Sequence, residues 1–162
     1  MKNIDIVLNE FLIQQGLDDE LCAGYEPNED SYYQASDVDN LPSRVILGGM
    51  SNKKADEVFM RYCGELGLKV SVGVEVMSFL HEIGHHMTMD FLDEDELFES
   101  EMTKMFLTID DEDTDEAFMK YFTCPIEYEA TMDAVNFCNA CPEVALKLDK
   151  DIKEALYGIT AD

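Results

Sequence analysis

Ser78-Phe79-Leu80-His81-Glu82-Ile83-Gly84-His85-His86 sets two histidines four residues apart inside a largely apolar run. On a helix, residues four apart stand one turn apart on the same face, so His81 and His85 can reach one cation. Glu82 lies one step round from His81, where its carboxylate can reach a metal-bound water without ligating. Val76, Met77, Phe79 and Leu80 before the pair, and Ile83 within it, supply the apolar surface that a buried helix needs. Gly84 lets a second element come close. The pattern predicts a helix over residues 74–87, with His81 and His85 as metal ligands and Glu82 as catalytic base.

Catalytic zinc sites use three protein ligands and leave the fourth position to water. A longer pattern with Gly at 88 and His at 91 is excluded, because Thr88 and Phe91 stand there. His86 points about 100° away from His85 and is a poor ligand. A glutamate on a second helix is the remaining common solution. Glu127-Tyr128-Glu129-Ala130-Thr131-Met132-Asp133 offers one. Glu129 and Asp133 share a helical face, so Glu129 is the expected third ligand, with Glu127 as the alternative. Asp133 is then the expected acceptor for the outer N–H of a ligand histidine, fixing its tautomer. Ala130 and Ala134 keep that helix slim enough to approach the first. Candidates for an oxyanion-stabilising partner are His86, Tyr121 and Tyr128.

Outward from the motif, Ile4, Val7, Leu8, Phe11 and Leu12 fall at helical spacing, with Gly16 as a stop. Residues 24–43 lack a period and read as loop or extended chain. Arg44-Val45-Ile46-Leu47 is a strand candidate closed by Gly48-Gly49. Ser51 can cap a helix running to about residue 66, and the alternation over 68–72 predicts a second strand. Residues 90–118 hold 13 acids and one base, Lys104, yet Leu92, Leu97, Phe98, Met102, Met105 and Phe106 recur near helical spacing. An acidic amphipathic helix and a polar turn at Asp110 to Asp115 are expected there. Helices over about 125–139 and from Pro142 to near Gly158 complete the chain. Cys138-Asn-Ala-Cys141 has no second pair and reads as thiols at a helix end.

The chain has 162 residues, enough for one domain with a sizeable core. Asp and Glu total 36 against 11 Lys and Arg, a formal net charge of -25. Such a surface repels nucleic acid and anionic membrane and attracts basic partners. Five cysteines, an odd number, argue against a secreted disulfide framework. Asp5 and Glu10 interrupt the apolar region that a signal peptide would need, and no apolar run approaches ~18 residues. A cytoplasmic protein with reduced thiols is expected.

Ser78 to His85, followed by Glu127-x-Glu129-Ala130, resembles the ImmA/IrrE-type metallopeptidases. The Glu129-Ala-Thr-Met-Asp133 spacing is also similar to the Glu-x-x-x-Asp of thermolysin-like gluzincins. The resemblance covers about residues 70–140. It implies His81, His85 and Glu129 as zinc ligands and Glu82 as general base, and members of that family cleave repressors of mobile elements or of stress responses. The expected fold is helix-rich α+β and zincin-like, with a small β-sheet beside the HExxH helix. It is expected as a single domain over 1–162 with an acidic helical insertion at about 90–118. The expected activity is zinc-dependent hydrolysis of a peptide bond in a protein or peptide substrate, a basic regulatory protein fitting the charge. The competing expectation is a non-catalytic acidic protein that binds a basic partner or mimics DNA, its metal site structural or vestigial.

Overall fold

The computed structural model describes residues 2–110 and 113–158. Helix α1 (Ile4–Gln14) starts at Asn3, whose side chain accepts the Asp5 N–H, and gives way to Gly16 in the left-handed region at φ 70°. Its buried stripe is Val7, Leu8, Phe11 and Leu12, the residues whose spacing announced the helix.

Three strands follow, β1 (Leu21–Glu26), β2 (Tyr32–Gln34) and β3 (Ser43–Gly48). The sheet order is β1-β3-β2, with β1 parallel and β2 antiparallel to the central β3. Leu21 faces Ser43 in one register and Tyr32 faces Ile46 in the other. Helix α1 closes the outer edge of β1 with side chains. Asn9 accepts from the Ala23 N–H at 3.0 Å and donates to the Ala23 carbonyl at 2.7 Å, and Asp5 accepts from the Tyr25 N–H. An open strand edge invites pairing, and here one edge is sealed while β2 keeps the other.

Helix α2 (Lys53–Glu65) is capped by Asn52 rather than Ser51. The connector over residues 68–72 is not a strand. Leu68, Val70 and Val72 do alternate inward, but they pack on the core from an extended segment without a ladder partner. Asn139 fixes it instead, accepting from the Lys69 N–H and donating to the Gly67 carbonyl. Helix α3 (Val74–Thr88) carries the histidine motif, and a turn of 3-10 helix (Met89–Phe91) follows it.

Helix α4 (Glu94–Asp110) is the acidic one. It opens on a reciprocal cap, in which Asp93 accepts from the Glu96 N–H and Glu96 accepts from the Asp93 N–H. The polar turn expected at Asp110 to Asp115 lies partly outside the described residues. Thr114 caps a further helix, α5 (Asp115–Thr123), which sequence periodicity did not separate from its neighbours. Prolines at the first turn start α6 (Pro125–Ala140) and α7 (Pro142–Tyr157).

The core joins α1, the sheet, α2, α3, α6 and α7. Phe79 and Met77 of α3 are wholly buried at its centre, each contributing roughly 1.5–3 kcal/mol by burial. The fold is thus a helix-rich α+β arrangement with a small mixed sheet beside the motif helix. Among the described residues no helix is long and apolar enough to cross a membrane.

Candidate metal centre

Two contacts fix α3 before any donor is considered. Asp149 of α7 accepts from the N–H of Gly73, the N-cap residue of α3, at 2.8 Å. At the other end Gly84 meets α6 backbone to backbone. A Cβ there would lie 2.4 Å from the Ala130 carbonyl oxygen and 2.9 Å from the Ala130 Cα. Only glycine permits that approach, and it decides which face of α6 looks at α3. That face is Glu127, Ala130, Thr131 and Ala134, all buried and spaced at helical intervals.

His81, His85 and Glu127 therefore converge, their donor atoms all within 4.8 Å of one another. Glu127 Oε2 lies 2.6 Å from His81 Nε2 and 3.4 Å from His85 Nε2. The two imidazoles stand nearly perpendicular, ring centres 4.7 Å apart. Phe59 packs edge-on against His81. Thr131 Oγ donates to the Glu127 carbonyl, so its lone pair is left to accept from His81 Nδ1–H at 2.9 Å. This assigns the His81 tautomer by its network.

With Nδ1 protonated, the neutral His81 ring turns a bare Nε2 lone pair on a carboxylate oxygen. Two acceptors at 2.6 Å need a cation between them, a proton or a metal ion. Burial alone would lower the His81 pKa, but the bonded Glu127 carboxylate outweighs it and holds the imidazole above its ordinary value. Burial would raise Glu127, yet its bonds to both histidines hold it well below the carboxylate range. Two imidazole nitrogens and a buried, ionised carboxylate are a donor set for a metal ion, and this group can hold one.

Of the two expected carboxylates, the structure brings Glu127, the alternative, to the histidines and not Glu129. Glu129 is half-buried and sits two residues, about 200°, round α6 from Glu127, off the face that meets α3. Asp133 does not reach either histidine of the group. It lines an apolar cavity with Phe11, Leu80, Ile83 and Phe137, where burial raises its carboxyl pKa. Thr131 takes the place that Asp133 was expected to fill.

The chain matches no protein-family model, no curated protein and no solved structure.

Glu82 is buried beside the group, 3.9 Å from His85 Nε2. Burial raises its pKa, and the two histidines only partly offset this. It lines two adjoining cavities of about 380 and 150 Å³ that share Ser31, Glu82, Tyr121 and Glu127. Of the three candidate oxyanion partners, Tyr121 alone lines both. Burial, with Glu127 and Glu82 nearby, keeps its hydroxyl protonated. His86 is turned to the sheet, its Nδ1 3.0 Å from the Tyr33 hydroxyl and its Nε2 3.8 Å from Glu20. Tyr128 is exposed and lines neither cavity.

Lys104 is the residue that sequence reasoning passed over. It donates to Glu127 Oε1 at 2.6 Å and lines the larger cavity. Its one sequence signal was to be the lone base in an acidic stretch. Cys138 and Cys141 are free thiols away from the group. Cys138 is buried, its pKa pushed up to about 11 by burial, which suits an inert core thiol.

Proposed function

We propose that the protein is a zinc-dependent endopeptidase. The observation that supports it best is the convergence of His81, His85 and Glu127 at the wall of an open cleft, with the Glu82 carboxyl beside them. Two histidines and a glutamate suit zinc, which would supply a polarised carbonyl and a water of lowered pKa.

Glu82 is the proposed general base. Its raised affinity for a proton suits a group that must accept one from the attacking water and return it to the leaving amine. Tyr121 keeps its proton and is placed to donate to negative charge developing on the substrate oxygen. Lys104 adds positive charge to the same cavity. The edge strand β2 borders the cleft through Tyr32 and Tyr33 and has no ladder partner on its outer side among the described residues, so an extended polypeptide can pair along it. The charge of -25 favours a basic substrate. The motif's likeness to ImmA/IrrE-type enzymes points to a regulatory protein such as a repressor. Five free cysteines fit a reducing, cytoplasmic setting.

Glu82→Gln separates this reading from a non-catalytic acidic binder. The amide preserves shape and removes the base. The expected result is an intact fold and full zinc content with hydrolysis of a basic protein substrate lost. Undiminished hydrolysis by the variant would refute Glu82 as base. Absence of any zinc-dependent hydrolysis in wild type, across a panel of basic proteins, would favour the binder.

A further inference from the structure

Glu127 divides its oxygens between two neighbours. Oε2 is the atom that faces both imidazoles. Oε1 accepts from Lys104 Nζ at 2.6 Å. Lys104 arrives from α4, its ammonium 5.3 Å from the centre of the Tyr121 ring. The helix that brings it is tied to the start of α6 one turn earlier. Ser100, 1% exposed, accepts from the Ile126 N–H at 3.1 Å and donates to the Glu96 carbonyl. Ser100 and Lys104 are four apart and so share the face of α4 that meets α6.

We propose that Lys104 is a positioning residue that keeps Glu127 a one-oxygen metal ligand. This rests on the metal-site reading above. Carboxylates bind cations through one oxygen or two. For both oxygens of Glu127 to be shared with an ion, Oε1 must give up a charge-assisted hydrogen bond in a largely buried setting, stronger than a bond between neutral groups. The ammonium beside Oε1 also repels a divalent ion drawn toward that oxygen. His81, His85 and one carboxylate oxygen then make three protein donor atoms, which leaves a position for water. A two-oxygen Glu127 would add a fourth protein donor atom and, with the water kept, make the site five-coordinate.

Cobalt(II) reports the difference, because four-coordinate cobalt absorbs more strongly in the visible than five- or six-coordinate cobalt. Full-length wild type, Lys104→Met, Lys104→Gln and Lys104→Arg would be loaded with cobalt(II) and their visible spectra recorded, with circular dichroism to verify the fold. The two neutral variants guard against one of them failing to fold. Wild type and the Arg variant should share an intense band. The Met and Gln variants should bind cobalt with the same stoichiometry but at no more than half that intensity. Equal spectra in all four, or an equal drop in the Arg variant, overturn the role of Lys104 and leave the metal site standing. Failure of wild type to bind cobalt overturns both.

Discussion

Helix α6 carries the Glu127 carboxylate and α4 reaches it, and the two helices are built from opposite kinds of surface. Helix α6 meets α3 through Ala130, Thr131 and Ala134, all buried, at a backbone contact that admits no side chain on Gly84. Helix α4 exposes Phe98, Met105 and Phe106 among its acids and sends Lys104 to the site. The difference separates two tasks. Placing donors within hydrogen-bond distance depends on close packing, which tolerates little change. Supplying one charge depends on a single side chain and a tether, and the rest of α4 is free to vary.

Gly84→Val should therefore have the largest effect. Its side chain would strike the backbone of Ala130 rather than a movable side chain. A loss of roughly 1–3 kcal/mol or more is expected in denaturant unfolding, together with loss of tight metal binding. Wild-type stability and metal binding in that variant would break the comparison.

Thr131→Val sharpens it within α6. The hydroxyl that orients His81 is lost while the shape is kept. Metal affinity should fall by about tenfold in a competition titration, the usual scale for partners of a ligand histidine. Asp133→Asn should leave affinity unchanged, since Asp133 lies in the apolar cavity. The reverse ranking would restore Asp133 to the site.

Glu82 tests the α3 side. Burial holds its carboxyl above the ordinary 4.5, so the folded state keeps a proton that the unfolded chain has released. Metal-free stability is then lost as pH rises from 4.5 through the raised value of the folded state. Glu82→Gln removes that loss and should stabilise the metal-free protein at neutral pH by roughly 0.5–2 kcal/mol. The gain should vanish in thermal melts below pH 4.5. A gain that persists there would mean that the carboxyl's ionisation is not its source.

The smallest effect belongs to α4. Neutralising Glu94, Asp95, Glu99 and Glu101 spares the Asp93 and Glu96 cap. Each such substitution on an exposed face should change stability by no more than about 0.5 kcal/mol, and metal affinity should stay at the wild-type value. A large drop in affinity would show that the acidic face, and not Lys104 alone, supports the site.

What was legible in the sequence follows the same division. The α3 helix could be read from Val76 to Ile83 because a largely apolar run of helix length carries two histidines one helical turn apart. His81 and His85 could be paired because their spacing is local. Strand β1 left no alternation to read, as Leu21 alone is fully buried along it and side chains of α1 seal its edge. The connector over 68–72 had the opposite fault, a two-residue period with nothing to pair against. Both Glu127 and Glu129 begin a plausible four-residue spacing, one to Thr131 and one to Asp133. Choosing between them needed the face of α6, which the contact at Gly84 sets and local spacing does not. Lys104 lies 23 residues before Glu127 and meets it only through the packing of α4 on α6.

The most direct test is the zinc content of wild type, Glu127→Ala and Glu129→Ala, each saturated with zinc, desalted and measured by mass spectrometry of the metal. Wild type and Glu129→Ala should each retain one zinc per chain, and Glu127→Ala should retain little. Full zinc in Glu127→Ala, or its loss from Glu129→Ala, would contradict the assignment of Glu127 as the third donor.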